Sequence, residues 1–160
     1  RPPRRRPGSP VRGRRLQALL LRLVRRSRRV KLVLDTNVLL SAILVPGFCR
    51  DLLRGRALAH DWFTSPGLLA ELAEKLSGKL ALEPARTPLY LVYRQRARLV
   101  SPDPLPAPVC RDPDDDIVLA TALAAGADLI LTGDQDLLVL GAYAGIRIRS
   151  PRQFSEAPQA

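Results

Sequence analysis

Two groups of acidic residues, six of the chain's fifteen acids, lie on either side of an apolar stretch. Carboxylates gathered at one place are the usual ligands of Mg²⁺ and Mn²⁺, which prefer oxygen donors. Such ions neutralise the repulsion between the carboxylates, attract a phosphodiester and generate hydroxide from bound water near neutral pH. The residue types therefore indicate metal-assisted phosphodiester hydrolysis. The first group is Asp112, Asp114, Asp115 and Asp116, and the second is Asp134 and Asp136.

Whether the two acidic groups lie close together depends on the secondary structure of the residues between them. Residues 117–125 are apolar and alanine-rich and precede Gly126, which predicts a buried helix. Residues 128–132 are mostly aliphatic, which predicts a buried strand. Ligands of open parallel sheets bind beyond the carboxyl ends of the strands. Both acidic groups are therefore expected at that edge.

A further acid, Asp35, follows a predicted central strand at residues 30–34. Thr36 or Asn37 is predicted to cap the helix over residues 38–44. Asp35 thus lies where a strand leads into a helix, again at the carboxyl edge of the sheet. The alternative is that Asp35 is only a helix cap.

Glu71 lies on a helix predicted over residues 67–76, where Ser65 and Pro66 form a start signal. It adjoins the apolar stripe of that helix, close enough to the core to face a cleft. The alternative is an exposed ion pair with Lys75 at i+4.

The remaining chain continues the alternation of helices and strands. Helices are predicted at 49–59 and 89–100, a short strand at 61–64, and a final edge strand at 145–149. Four prolines in residues 101–108 predict an extended surface connection. The sequence therefore predicts a single α/β domain over residues 30–155, with a frayed tail at 156–160.

The net charge of +11 comes from one end of the chain. Residues 1–31 contain thirteen Arg or Lys and no acid, whereas residues 32–160 have a net charge of −2. Residues 1–29 are therefore predicted to be a basic, disordered extension. It is either a solvated tail or an arm that binds nucleic acid. A domain near neutrality with clustered carboxylates would repel phosphate unless cations lay among them.

Several classes of protein are not indicated. Two cysteines and one histidine without zinc-finger spacing argue against a disulfide scaffold or a Cys/His zinc site. No apolar run approaches the roughly 20 residues that a membrane span needs, so a cytoplasmic protein without a membrane anchor is predicted. Phosphate-loop and nucleophile-elbow motifs are also missing, which argues against nucleotide-binding enzymes and serine hydrolases.

Four segments together resemble a PIN domain: VLDTNVLLSAIL, SPGLLAELAEKL, DPDDDIVLATALAAGADLILTGDQDLL and IRIRSPRQF. The resemblance covers residues 30–154 and is nearest to the bacterial and archaeal toxins of toxin–antitoxin systems, the VapC-type ribonucleases. It implies a three-layer α/β/α fold with a mostly parallel central sheet. It also implies Mg²⁺- or Mn²⁺-dependent cleavage of RNA, an antitoxin partner and a possible homodimer.

The resemblance also implies which residues form the site. The four acids are Asp35, Glu71, Asp115 and Asp134. Asp116 would replace Asp115 as a ligand if the turn is shifted by one residue, and Asp136 is an outer or alternative ligand. Asp112 and Asp114 are expected to cap the helix. Thr36 or Asn37 would orient Asp35, and Thr132 would be a polar neighbour of Asp134.

Two other hypotheses compete with a metal-dependent ribonuclease. One is a non-catalytic RNA-binding module whose basic tail supplies the affinity. The other is a phosphatase or nucleotide-processing enzyme on a similar sheet, which the missing phosphate loop disfavours.

Overall fold

Strand β1, Lys31–Leu34, lies near the middle of a sheet that has six strands in the described part of the chain. We describe the fold from a computed structural model, which describes residues 29–157. These residues form one compact unit. The other strands are β2 (Asp61–Thr64), β3 (Arg98–Leu99), β4 (Leu129–Leu131), β5 (Ala142–Tyr143) and β6 (Ile146–Arg149). Their order across the sheet is β3-β2-β1-β4-β6-β5.

Within residues 29–157, seven α-helices accompany the sheet: α1 (Thr36–Leu44), α2 (Phe48–Arg54), α3 (Pro66–Ser77), α4 (Pro88–Arg96), α5 (Pro113–Ala125), α6 (Gln135–Leu138) and α7 (Pro151–Glu156). Two 3₁₀ turns cover Arg56–Ala59 and Pro84–Arg86. All strand pairs are parallel except β5 with β6. The predicted α/β class and mostly parallel sheet are confirmed.

The side chains of β1 alternate between two apolar cores, one on each face of the sheet. Leu32 and Leu34 pack with residues of α1 to α4, whereas Val33 packs with residues of α5 and α6. All three side chains are fully buried. A strand buried on both faces needs apolar residues at every position, which explains its sequence LVL. The molecule therefore has three layers.

The strand order changes direction at β1 and β4. The chain runs outward from β1 through β2 to β3, and then returns to β4 beside β1. From β4 it continues to β5 at the opposite edge and turns back to β6, which pairs between β4 and β5. Crevices at such switch points are where open α/β sheets bind ligands. Asp35 follows β1 and Asp134 follows β4, so both acids lie beside the switch point.

Two predicted elements differ from the structure. The helix predicted over residues 89–100 ends at Arg96, because Arg98 and Leu99 pair with Phe63 and Thr64 of β2. The strand ending at Arg149 is not at the edge of the sheet, because β5 pairs with it on its outer side. Ala144 and Gly145 have positive φ angles of 47° and 81°, the conformation of a tight hairpin turn.

Two predictions about helices also need correction. Asp35, rather than Thr36 or Asn37, is the residue immediately before α1. The helix predicted over residues 49–59 divides at Gly55 into α2 and a 3₁₀ turn.

The predicted basic extension, except Arg29, lies outside the described residues, as do residues 158–160. Within residues 29–157, no single helix is long and apolar enough to span a membrane. The segments Thr36–Leu44 and Phe48–Ala59 reach that length and hydropathy only when taken together, and their axes are bent by 105°.

Candidate active site

Asp35 is a buried acid at the carboxyl end of β1, with 4% of its surface exposed. Its carboxylate oxygen Oδ2 accepts a 2.6 Å hydrogen bond from the hydroxyl of Thr132, which follows β4. Its backbone N–H donates to the carbonyl of Leu131 on β4. Asp35 occupies the position before α1, but its shortest hydrogen bond comes from Thr132 across the sheet, so helix capping alone does not account for this side chain.

Burial raises the pKa of the Asp35 carboxyl above its ordinary value. The hydrogen bond from Thr132 opposes this rise, and the negative charges of Glu71 and Asp134 add to it. The carboxylate of Asp35 is therefore close enough to Glu71 and Asp134 for their charges to act on it. A cation beside it would favour its ionised form.

Glu71 extends from α3 towards Asp35. Its Oε2 accepts a 3.1 Å hydrogen bond from the hydroxyl of Thr36, the residue after Asp35. Its Oε1 lies 2.6 Å from Nζ of Lys75, one turn further along the helix. The ion pair considered from the sequence thus exists, and the same carboxylate also faces the neighbourhood of Asp35. Asn37 is exposed.

Asp115, Asp134 and Asp136 come closer together than the other acids. One carboxylate oxygen from each lies within 4.8 Å of the others. Burial, followed by the charges of Asp134 and Asp35, raises the pKa of Asp115 to about 6. Three oxygens at this spacing form a possible cation site, where a bound cation would favour the ionised form of each acid.

Local turns position these three side chains. Asp115 lies in the first turn of α5. Asp134 precedes α6, and its Oδ1 accepts a 2.8 Å hydrogen bond from the backbone N–H of Asp136. The N–H of Asp134 donates to the hydroxyl of Thr132, which also holds Asp35. Thr132 therefore connects the acid after β1 with the acids after β4.

Asp116 and Asp112 have other partners. Asp116 accepts hydrogen bonds from the backbone N–H groups of Val109 and Cys110, at 3.2 and 2.9 Å, and so holds the chain that leads into α5. Asp112 caps α5 by accepting from the N–H of Asp114. Asp112 therefore has the predicted capping role.

The five converging acids, Glu71, Asp35, Asp134, Asp115 and Asp136, form what we call the acidic cluster. Two cations lie against it. Lys75 pairs with Glu71, and Nη2 of Arg111 lies 2.5 Å from Oδ1 of Asp136. Arg111 was not singled out from the sequence. Its position directly before Asp112 is the only signal that the sequence offers.

Buried hydroxyls beneath the cluster were also missed. Thr121 of α5 lies 2.8 Å from Ser65 at the end of β2, and neither side chain is exposed. The hydroxyls of Thr64 and Tyr93 are buried next to each other, and no other group of residues 29–157 forms a hydrogen bond with them. In sequence these residues are indistinguishable from ordinary polar positions, because only the packing of α4 and α5 on the sheet brings them together.

The donor set fits a hard divalent cation. All the donors in the closely spaced set are carboxylate oxygens, whereas Zn²⁺ sites usually include nitrogen or sulfur. Asp115, Asp134 and Asp136 would hold the ion most directly, with Asp35 and Glu71 beside them. Such a site can bind a phosphate and activate water.

Comparisons with known proteins agree with this architecture. A family model described as "PIN domain" matches residues 31–136. An uncharacterized protein of Methanocaldococcus jannaschii is 30% identical over 145 residues, covering 80% of this chain and 91% of the relative. A chain in the crystal structure of VapBC2 from Rickettsia felis, bound to a DNA fragment from their promoter, has a TM-score of 0.53 and 16% identity. That match covers 75% of this chain and 98% of the other.

Proposed function

Because the chain belongs to the PIN domain family, we propose that it is a Mg²⁺- or Mn²⁺-dependent endoribonuclease. The observation that supports this most is the convergence of Asp115, Asp134 and Asp136, with oxygens within 4.8 Å of one another, beside the buried Asp35. PIN domains are generally nucleases, which agrees with an all-carboxylate site.

The surroundings of each acid give it a different role in the proposed reaction. Asp115, Asp134 and Asp136 would hold a cation, which when bound supplies a water of lowered pKa and neutralises phosphate charge. Asp35 is fixed by Thr132, so its carboxylate is held ready without reorganisation. Glu71, held by Thr36, can accept a proton from an attacking water. Hydrolysis then leaves a phosphomonoester and a free hydroxyl.

The test is cleavage of a labelled single-stranded RNA with Mn²⁺ and with excess chelator. We expect Mn²⁺-dependent cleavage by the native chain and a loss of at least about a hundredfold in Asp35→Asn/Asp115→Asn. The matched control is Asp51→Asn/Asp103→Asn, which neutralises two exposed acids outside the cluster. Equal cleavage by the native chain and the Asp35→Asn/Asp115→Asn variant would refute the proposal.

We further propose that the protein is the toxin of a toxin–antitoxin pair. The likeness of its fold to a chain of the VapBC2 assembly supports this. So does an exposed apolar corner between α1 and α2, where Leu44, Val45 and Phe48 are 43%, 60% and 48% exposed. Exposed apolar patches commonly mark protein contacts. Expression in a bacterial host should arrest growth, and Asp35→Asn should relieve the arrest. A homodimer remains a prediction, which light scattering can test.

A further inference from the structure

A groove with a volume of about 500 Å³ opens at the carboxyl end of β6. Its polar lining residues are Gln135, Arg149, Ser150, Arg152, Gln153 and Glu156. The volume lies within the range of about 300–1,000 Å³ typical of small-ligand sites. The groove is therefore large enough for part of a nucleic-acid strand.

The groove adjoins the acidic cluster. Gln135, which lines it, is the residue between Asp134 and Asp136. The carbonyl of Arg149 accepts a 3.1 Å hydrogen bond from the backbone N–H of Thr132, whose hydroxyl holds Asp35. A strand held in the groove would thus lie directly beside the site of hydrolysis.

The groove contains positive charge that is not paired with an acid, whereas the cations at the acidic cluster are paired. Lys75 and Arg111 are both paired with acids of the cluster. By contrast, no carboxylate of residues 29–157 lies within 4.0 Å of the guanidinium groups of Arg149 and Arg152, although Glu156 lines the same groove. These two arginines are therefore free to bind an anion.

Arg149 is also held in place. Its Nη1 lies 2.9 Å from the carbonyl of Ile148 and 3.3 Å from that of Gly141. A guanidinium positioned by backbone carbonyls loses little freedom when it binds a phosphate.

Ser150 and Gln153 can add hydrogen bonds. The hydroxyl oxygen of Ser150 accepts from the N–H of Gln153, and Oε1 of Gln153 accepts from the N–H of Ser150. These bonds use only oxygen atoms as acceptors. The hydroxyl hydrogen of Ser150 and the amide NH₂ of Gln153 therefore remain available to donate to phosphate or sugar oxygens.

We propose that this groove binds the RNA backbone next to the scissile phosphate, with Arg149 and Arg152 contacting phosphates. The inference rests on the proposed ribonuclease activity and deepens it. An acidic cluster repels a polyanion, so cations beside it are needed to hold the flanking nucleotides. Contacts to phosphate carry no sequence information, so the groove would favour binding without selecting a base.

The test uses Arg152→Gln in the full chain, because Arg152 is exposed and its loss should not affect folding. The matched control is Arg94→Gln, an exposed residue of α4, the helix that leads into β3, which lies four strands away from β6 in the sheet. We expect Arg152→Gln to raise KM for single-stranded RNA about five- to tenfold, with kcat changed less than twofold. The slope of log KM against log salt should decrease by about one for Arg152→Gln alone.

Other outcomes would overturn the inference. The inference is wrong if Arg152→Gln leaves KM unchanged, if Arg94→Gln raises KM equally, or if Arg152→Gln lowers kcat without changing KM. Unchanged RNA affinity with lost binding of a poly-glutamate peptide would assign the groove to an acidic protein segment instead. If the native chain does not cleave RNA, the proposed function fails. The groove is then still tested by the anisotropy of labelled RNA in chelator, where Arg152→Gln but not Arg94→Gln should weaken binding.

Discussion

The hydroxyl of Thr132 donates a 2.6 Å hydrogen bond to the buried carboxylate of Asp35, 97 residues earlier in the chain. The same hydroxyl oxygen accepts from the backbone N–H of Asp134. One side chain at the end of β4 thus fixes the acid after β1 and the turn that carries the second acidic group. The consequences can be tested one residue at a time.

Replacing Thr132 should affect both stability and activity. Thr132→Val keeps the shape but leaves the Asp35 carboxylate and the Asp134 N–H without this partner. We expect a loss of about 2 kcal/mol in the free energy of unfolding, measured by urea titration. Thr132→Ser retains the hydroxyl and is the control, with a loss below about 1 kcal/mol. Equal stability of the Val and Ser variants would show that the hydrogen bond contributes nothing.

Asp115 and Asp116 are neighbours with different surroundings, so their alanine variants should separate metal binding from loop stability. Asp115→Ala should weaken Mn²⁺ binding by at least about tenfold, because one of three close oxygens is lost. Asp116→Ala should leave Mn²⁺ affinity within about threefold but cost about 1–3 kcal/mol, because the N–H groups of Val109 and Cys110 lose their acceptor. Calorimetric Mn²⁺ titration and thermal melting measure the two effects. The reverse pattern would make Asp116 the ligand.

The raised pKa of Asp115 predicts how stability depends on pH without metal. Its folded-state pKa of about 6 exceeds the ordinary value of 3.8, so the folded chain binds the proton more tightly than the unfolded chain. Stability should therefore fall as the pH rises from about 4 to about 6. Asp115→Asn should reduce this fall, leaving the part that comes from the raised pKa of Asp35, and should increase stability by about 1 kcal/mol at pH 7, a value reduced for solvent screening.

Melting temperatures in chelator across pH 4–7 provide the measurement, and Asp103→Asn in the exposed connection is the control. Saturating Mn²⁺ should abolish the fall, because a cation favours the ionised acids. A native chain that becomes more stable between pH 4 and 6 in chelator, and an Asp115→Asn variant that does not differ from it, would contradict the assignment.

Arg111 should compete with a cation for Asp136. Its side chain is 86% exposed, so the ion pair contributes little to stability. Arg111→Gln should therefore leave the midpoint of urea unfolding nearly unchanged and tighten Mn²⁺ binding about two- to threefold. Arg86→Gln breaks a similar exposed pair with Glu83 and should leave Mn²⁺ affinity unchanged. Weaker Mn²⁺ binding in Arg111→Gln would show instead that Arg111 organises the site.

The sequence correctly predicted those elements whose pattern of apolar and capping residues matches what the structure buries and caps. The aliphatic run before Asp35 became the doubly buried β1, and Ser65-Pro66 began α3 as expected, with Ser65 accepting from the N–H of Leu68. By contrast, Arg98 and Leu99 continue a helical composition, and only pairing with β2 makes them a strand. Short strands at the edge of a sheet have weak local signals, because pairing rather than propensity stabilises them.

The types of residue at the site could be identified from the chain alone: acids after predicted strands and on or before predicted helices, in number and spacing suited to a divalent cation. Which carboxylates meet was decided by the tertiary structure. Asp116 points to the backbone of its own loop, Asp136 joins Asp115 and Asp134, and Thr132 reaches Asp35 across the sheet. The physical reason is that a run of aspartates specifies charge but not direction. Direction follows from helix phase, strand order and the hydrogen bonds that each carboxylate makes, and these exist only after the sheet has assembled.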